Sequence, residues 1–193
     1  MADIKIKNAS QRDIQAAEHR EKLLTVGYEL ICKYGIDSVG VREISEAAGV
    51  TTGTFYHNFK SKQDLLWNYA GSRKEFGRGF EELSEGSAVS RIMAFFTGAV
   101  ADVLEKDGPE LVMWILTKKE TSSPLYDAAY RLVCEGIRNK ELSDEKPPEE
   151  LTDYILDCYR GAAFAWFRSE GKKDIRTLIR EHVGYGLEHF LSK

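Results

Sequence analysis

Residues 45–66 read SEAAGVTTGTFYHNFKSKQDLL, and the fold turns on how the two breaks in this stretch are read. It begins as the end of a short amphipathic helix, breaks at Gly49, restarts around Thr51, Thr52 and Thr54, and restarts again at Ser61. The linker AGV supplies a small residue, a glycine able to take positive φ, and an apolar plug for the corner. That is the turn of a helix-turn-helix unit. In such units the second helix enters the major groove with its N-terminal residues against base edges, while the first braces on the backbone.

The residue chemistry fits that placement. The spacing predicts a helix over 41–48, with Val41, Ile44, Ala47 and Ala48 inward, and another over 51–59 held by Phe55 and Phe59. The other side of the second helix offers Thr51, Thr52, Thr54, Tyr56 and His57, hydrogen-bonding groups of modest reach. Threonine donates to phosphates and its methyl meets thymine methyls; tyrosine hydroxyls and helix N-terminal amides are common phosphate partners. Gly53 lets the backbone approach a duplex closely. Arg42 lies in the first turn of the bracing helix, and Lys60 and Lys62 flank the start of the next, within reach of a phosphate. Ser61 with Asp64 three residues later reads as a capping box. Short helices with Thr and Tyr on a wet surface also occur as plain scaffolding, so geometry alone leaves both readings open.

Upstream, residues 16–34 place Leu23, Leu24, Gly27, Leu30, Ile31 and Tyr34 on one stripe, and Gly35 stops that helix. Together these segments form a three-helix head. With its flanks, this head resembles the DNA-binding domain of the tetracycline-repressor (TetR) family of transcriptional regulators. The residues that carry the resemblance are KLLTVGYELICKYG at 22–35, VREISEAAGV at 41–50, TTGTFYHNF at 51–59 and KSKQDLL at 60–66. The resemblance implies that Thr54, Tyr56 and His57 touch DNA and that Lys62 pairs with a phosphate. Two positions depart from the family pattern. Gly40 stands where Thr is frequent and Thr52 where Lys or Arg is frequent, and both changes remove phosphate contacts.

Charge is consistent with those losses. Net charge is −4; residues 1–62 hold nine Lys/Arg against eight Asp/Glu, and the remainder eighteen against twenty-three. A head at +1 predicts low non-specific affinity and a shallow salt dependence unless the N-terminal segment contributes through Lys5, Lys7 and Arg12. Residues 1–15 are expected to be a flexible arm.

Beyond the head the chain reads as helix nearly throughout: about 61–85, 87–106, 109–119, 124–141, 149–169 and 173–192, separated by EGS, DGP, TSSP, SDEKPP and EGKKD. The expectation is an all-α chain of about nine helices. It comprises a helix-turn-helix head over 16–62 and a ligand-binding and dimerisation bundle over 63–193, with the fourth helix as lever between them. The helix at 149–169 is apolar on two faces, Ile155, Cys158, Ala162 and Trp166 on one and Leu156, Tyr159, Ala163 and Phe167 on the other. The last helix adds Ile175, Leu178, Ile179, Val183, Leu187 and Phe190, with Gly184 and Gly186 permitting close approach. In the resembled family the last two helices of each subunit build a four-helix dimer interface. That implies an interface of Leu156, Ala163, Phe167, Ile179, Val183, Gly186, Leu187 and Phe190. The alternative is that both faces are filled within one subunit.

Met93, Phe96, Val100, Met113, Trp114, Leu116, Tyr130, Cys134, Tyr159 and Trp166 lie mid-helix in the body and are candidates to wall an apolar cavity. Core packing is the competing reading for each. Cys32, Cys134 and Cys158 are odd in number and unpaired by spacing, and the four histidines show no ligand spacing, so neither a disulfide framework nor a metal site is expected. MADIKIKNAS has no apolar core for a signal peptide, and no segment is apolar enough for a membrane span, which places the expected protein in the cytoplasm.

The reading is a homodimeric, ligand-responsive regulator that binds a near-palindromic double-stranded operator. It is a repressor released by a small apolar or aromatic effector, with no cofactor and no membrane partner. One alternative is a DNA-bound activator or organiser controlled by a protein partner. An enzyme is a third class, but no paired carboxylates, nucleophile elbow or phosphate loop supports it.

Overall fold

The computed structural model describes residues 11–83, 85–117 and 124–192. Among these residues eleven α-helices follow in order: α1 Gln11–Tyr34, α2 Val41–Ala47, α3 Thr52–Asn58, α4 Lys62–Gly71, α5 Lys74–Glu81, α6 Ala88–Phe95, α7 Ala101–Asp107, α8 Pro109–Leu116, α9 Pro124–Arg138, α10 Pro148–Arg168 and α11 Ile175–Glu188. A π-helical turn, Phe96–Val100, joins α6 to α7 without a break. Among the described residues the sole β-pairing is an isolated bridge between Leu142 and Leu191. No helix among them is long and apolar enough to cross a membrane.

The chain separates into two compact units, one through Tyr69 and one from Ala70 onward. The helix expected over 61–85 is two helices, α4 and α5, parted at Ser72 and Arg73. At its other end the expected arm is shorter, because residues 11–15 already belong to α1 and place Arg12 in its first turn. Lys5 and Lys7 lie outside the described residues.

In the head, α1 buries Leu23, Leu24, Gly27, Tyr28 and Ile31. Tyr28, which lies off the expected stripe, is buried and stacks on Tyr69 at 3.9 Å between ring centroids. Tyr34, expected on the inward stripe, is exposed. On α2, Ile44 and Ala48 are buried as the spacing predicts, while Ser45 takes the inward place expected of Ala47. Ser45 is tolerated there because its hydroxyl donates to the Val41 carbonyl at 2.9 Å.

The body gathers the π-helical turn, α6, α9, α10 and α11 around one apolar core. Both faces of α10 are consumed inside it: Ile155, Ala162 and Trp166 on one side, Leu156, Tyr159 and Ala163 on the other. Arg176 at the start of α11 pins the π-helical turn, donating to the Thr97 carbonyl at 2.6 Å and to Asp102 and Glu105 at 2.5 and 2.8 Å. Those carboxylates hold its guanidinium pKa above the ordinary value, Glu105 contributing most.

Candidate nucleic-acid interface and body cavity

The turn between α2 and α3 is built as its sequence demands. Gly49 has φ +70°, a conformation that favours glycine. Thr51 caps α3: its hydroxyl accepts from the Thr54 amide at 3.1 Å and lies 3.0 Å from the Thr54 hydroxyl. Phe55 and Phe59 are fully buried beneath the helix, and the Arg20 guanidinium lies over the Phe59 ring at 5.2 Å. Anchored from below, α3 turns Thr51, Thr52, Gly53, Tyr56 and His57 to solvent, with Thr54 half-buried. Tyr56 is 60% exposed, an outlying value for a large aromatic side chain.

Gly53 is informative because the fold does not need it. A Cβ there would meet nothing closer than the Thr51 hydroxyl at 3.5 Å, and its φ is not positive. A glycine in mid-helix costs about 0.5–1 kcal/mol relative to alanine, which is an upper bound for Gly53 in the first turn of α3. The open space on its outward side is what a closely approaching partner backbone would use.

The charged candidates divide. Arg42 is exposed but engaged with Glu46 one turn on, at 2.7 Å, and this contact raises its pKa. Lys60 is exposed, and its amide donates to the Asp64 carboxylate at 2.8 Å. Asp64 in turn gives its amide to the Ser61 hydroxyl at 3.1 Å, so the expected capping box forms with its return bond displaced by one residue. Lys62 is partly spent on the fold, for its ammonium donates to the Ile36 carbonyl and, at 3.0 Å, to the Val39 carbonyl. Of three ammonium donors, two tie α4 to the loop between α1 and α2. Gly40 has no hydroxyl to cap α2, and the bond that remains is the reciprocal one, in which the Glu43 carboxylate accepts from the Gly40 amide at 2.7 Å.

The body holds a cavity of about 290 Å³. Its walls are largely apolar, with Phe76, Val103, Leu104, Val112, Leu116 and Leu125 among them. Into this lining comes a buried ion pair: Arg73, at the break before α5, meets Asp107, at the end of α7, at 2.5 Å, with side chains 5% and 2% exposed. Tyr126, Tyr159, Asp153 and Arg160 complete the polar part. Burial, followed by Asp153, Glu149 and Asp127, raises the Tyr126 pKa.

Of the residues expected to wall a cavity, Tyr159 and Leu116 do so. Phe96 and Val100 are fully buried core, and Trp166 is core as well. Met93 lies half-buried, 3.9 Å from where a Cβ at Gly184 would stand. Met113 and Trp114 are half-buried outside the lining, as is Cys134. Tyr130 donates to Glu149 at 3.0 Å, which pushes its pKa up to about 12. Sequence reasoning missed Arg73, Asp107, Phe76, Leu125 and Tyr126. Asp107 reads as turn chemistry before Gly108 and Pro109, and nothing local to Arg73 marks it as buried.

Most of the residues expected at a dimer interface pack within the body of the single chain. Ala163, Ile179, Val183 and Leu187 are buried in the body's own core, and Leu156 both packs there and lines the cavity. Gly186 lies against Cys158 of the same chain, where a Cβ would come within 2.7 Å of its sulfur. Phe167 is exposed, and Phe190 is half-buried with its ring edge-on to Tyr154 at 5.1 Å. The apolar groups that α10 and α11 leave open are Tyr154, Phe164, Phe167 and Tyr185, the last 72% exposed.

The α2–turn–α3 arrangement is that of a helix-turn-helix unit, the second helix of which enters the major groove in DNA-binding proteins. Residues 23–67 match the family of bacterial regulatory proteins of the tetR type. The chain is similar to the HTH-type transcriptional regulator AcrR of Shigella flexneri, 28% identical and covering 92% of this chain and 91% of that protein. It is also similar to the transcriptional repressor KstR2 of Mycolicibacterium smegmatis, 35% identical over 27% of this chain and 25% of that one. Among solved structures it shares its fold with Thermus thermophilus FadR in complex with lauroyl-CoA, at a TM-score of 0.72 and 18% identity over 90% and 96% of the two chains. RolR bound to resorcinol shares the fold as well, at 0.66 and 20% over 93% and 91%. Residues 23–67 thus match the DNA-binding part of tetR-type regulators, and the chain as a whole is similar to one such regulator.

Proposed function

We propose that the protein is a ligand-responsive repressor that binds a near-palindromic operator as a homodimer and leaves it when a small molecule occupies the body cavity. The observation that carries this reading is the pairing, in one chain, of an exposed α3 surface with a largely apolar pocket in the body that a buried ion pair lines. The first is what a DNA reader presents, and the second is what a ligand site presents. In this reading Thr51, Thr52, Thr54, Tyr56 and His57 face the groove, and the Gly53 backbone approaches the duplex. Arg42, Lys60 and the third donor of Lys62 serve phosphates.

Dimerisation would use the open face of α10 and α11, with Tyr154, Phe164 and Tyr185 as its anchors. A two-fold dimer sets its recognition helices about 34–36 Å apart, one turn of duplex. Two structural relatives hold small molecules, lauroyl-CoA in one and resorcinol in the other, which supports small-molecule control here. A coupling of about 1–3 kcal/mol between cavity and operator weakens DNA binding roughly 5–150-fold.

The test is a mobility shift with duplexes tiled over the protein's own upstream region at moderate salt, beside sedimentation of the free protein. Sequence-selective binding by a dimer is expected, with Tyr185→Glu shifting the protein to monomer and weakening the shift. A dimer that binds all duplexes equally would overturn the operator reading, and a monomer that binds selectively would overturn the dimer.

A further inference from the structure

We infer that Lys62 sets how sharply the protein discriminates among DNA sequences, because its ammonium ties the entry of α2 to the exit of α3. This rests on the proposed DNA reading and goes beyond any phosphate contact: Lys62 is a positioning residue for the recognition helix.

Both ends of the tie are defined. The ammonium donates to the Ile36 carbonyl and, at 3.0 Å, to the carbonyl of Val39, the residue immediately before the Gly40 cap of α2. Val39 is itself buried, which gives this loop a fixed seat. Lys62 opens α4 just beyond Phe59, the buried C-cap of α3, whose amide donates to the Phe55 carbonyl at 2.8 Å. The chain from Val39 to Lys62 is thereby closed into a ring that contains α2, its turn and α3. The α4 end is held as well. The Asp64 carboxylate accepts from the Lys60 amide at 2.8 Å and from the Asn68 side chain at 3.1 Å, and Asn68 accepts from Arg20 at 2.7 Å. Arg20 in turn covers the Phe59 ring.

Such a tie bears on reading DNA more than on holding it. Helices α2 and α3 have 7 residues each, too short to keep shape or place without tertiary ties. Hydrogen bonds from a charged donor are stronger than neutral ones, and a compact ammonium with three donors suits two acceptors that meet at one point. Phosphate contacts carry no sequence information, whereas a side chain serves a base edge only when held within about 0.5 Å of its place. Loosening the ring therefore leaves the protein on DNA and blurs which sequence it prefers. Lys60, exposed and just before α4, is the contrast: whatever its ammonium gives a duplex, it gives to every sequence alike.

The experiment is fluorescence anisotropy with the full-length protein over a salt series. The probes are the duplex it selects from its own upstream region and a shuffled duplex of equal composition. Lys62→Met keeps the apolar stem and removes the ammonium. Expected is a fall of about tenfold in the ratio of operator to shuffled affinity, the worth of one good base contact. Loss of a phosphate contact alone would weaken both duplexes alike, lower both salt slopes by about 1 and leave the ratio where it was. Partial unfolding would leave the ratio unmoved too, since it lowers the active fraction for both duplexes. Lys60→Ala is the control, and its ratio should equal that of wild type. If Lys62→Met shows no cooperative thermal transition, Lys62→Arg takes its place with the same expectation. That variant keeps the charge but sets a longer, planar fork where the ammonium meets both carbonyls. A wild-type ratio in the folded variant would overturn the inference and leave the operator reading intact. Wild type that prefers no duplex would overturn the operator reading and the inference together.

Discussion

The head and the body solve opposite problems with the same element. In the head, helices α2 and α3 are short, and apolar residues are spent on anchoring one of them: Phe55 and Phe59 hold α3 from below and leave its outer surface unpartnered. In the body, apolar residues are spent on each other, so that α10 packs on two faces and helps to line a pocket. The contrast teaches where function is exposed to sequence. A surface that reads DNA is written in consecutive residues, whereas a cavity is written in residues brought together from helices far apart in the chain.

The largest effects should separate the two regions. Phe55→Ala empties a fully buried aromatic site and should cost about 3–5 kcal/mol. Differential scanning calorimetry should show the loss in the head's transition, with DNA binding abolished and the body's transition unchanged. An equal loss in both would mean the regions are not energetically distinct. The mirror experiment is Arg73→Met, which leaves Asp107 buried without its guanidinium and should cost the body about 3–5 kcal/mol. Arg73→Met with Asp107→Leu should recover most of that, because well-packed apolar replacements of a buried pair are often neutral.

Smaller effects sharpen the picture of α3. Tyr56→Phe keeps the ring and deletes the exposed hydroxyl, so operator affinity should fall about two- to tenfold with thermal stability unchanged. Lys60→Ala should weaken all duplexes alike and lower the slope of log affinity against log salt by about 1. Gly53→Ala is the smallest in energy and the most diagnostic in sign. It should stabilise the head by at most about 0.5–1 kcal/mol, since nothing in the fold obstructs a methyl there, and yet weaken operator binding. A variant that is more stable and binds DNA unchanged would rule out the close backbone approach.

Much of the head was legible because its determinants are local. Gly49, the Thr51 cap and the Phe55–Phe59 pair act within a few residues of one another, and each appears in the structure where the spacing placed it. Lys62 shows the limit: its bonds to the Ile36 and Val39 carbonyls cross more than twenty residues, and no local pattern announces them. Tyr28 and Tyr34 exchanged roles for a similar reason, because the stack on Tyr69 decides which tyrosine turns inward. In the body, hydrophobic periodicity located the helices but could not say who fills each face. Leu156, Ala163 and Ile179 fit an intersubunit stripe and an intrasubunit core equally well by spacing alone. The break at Ser72 and Arg73 follows Gly71 with no proline or turn cluster to mark it, so helix reads as continuous across it.

The central claim is that the exposed face of α3 reads a symmetric DNA site. Hydroxyl-radical footprinting on the protein's own upstream region, with wild type beside Tyr56→Phe and Gly53→Ala, tests it most directly. Two protected half-sites related by a two-fold axis are expected, about 10–10.5 base pairs or a multiple of that apart, with protection weakened at both half-sites in each variant. Uniform protection, or a footprint that neither variant alters, would contradict it.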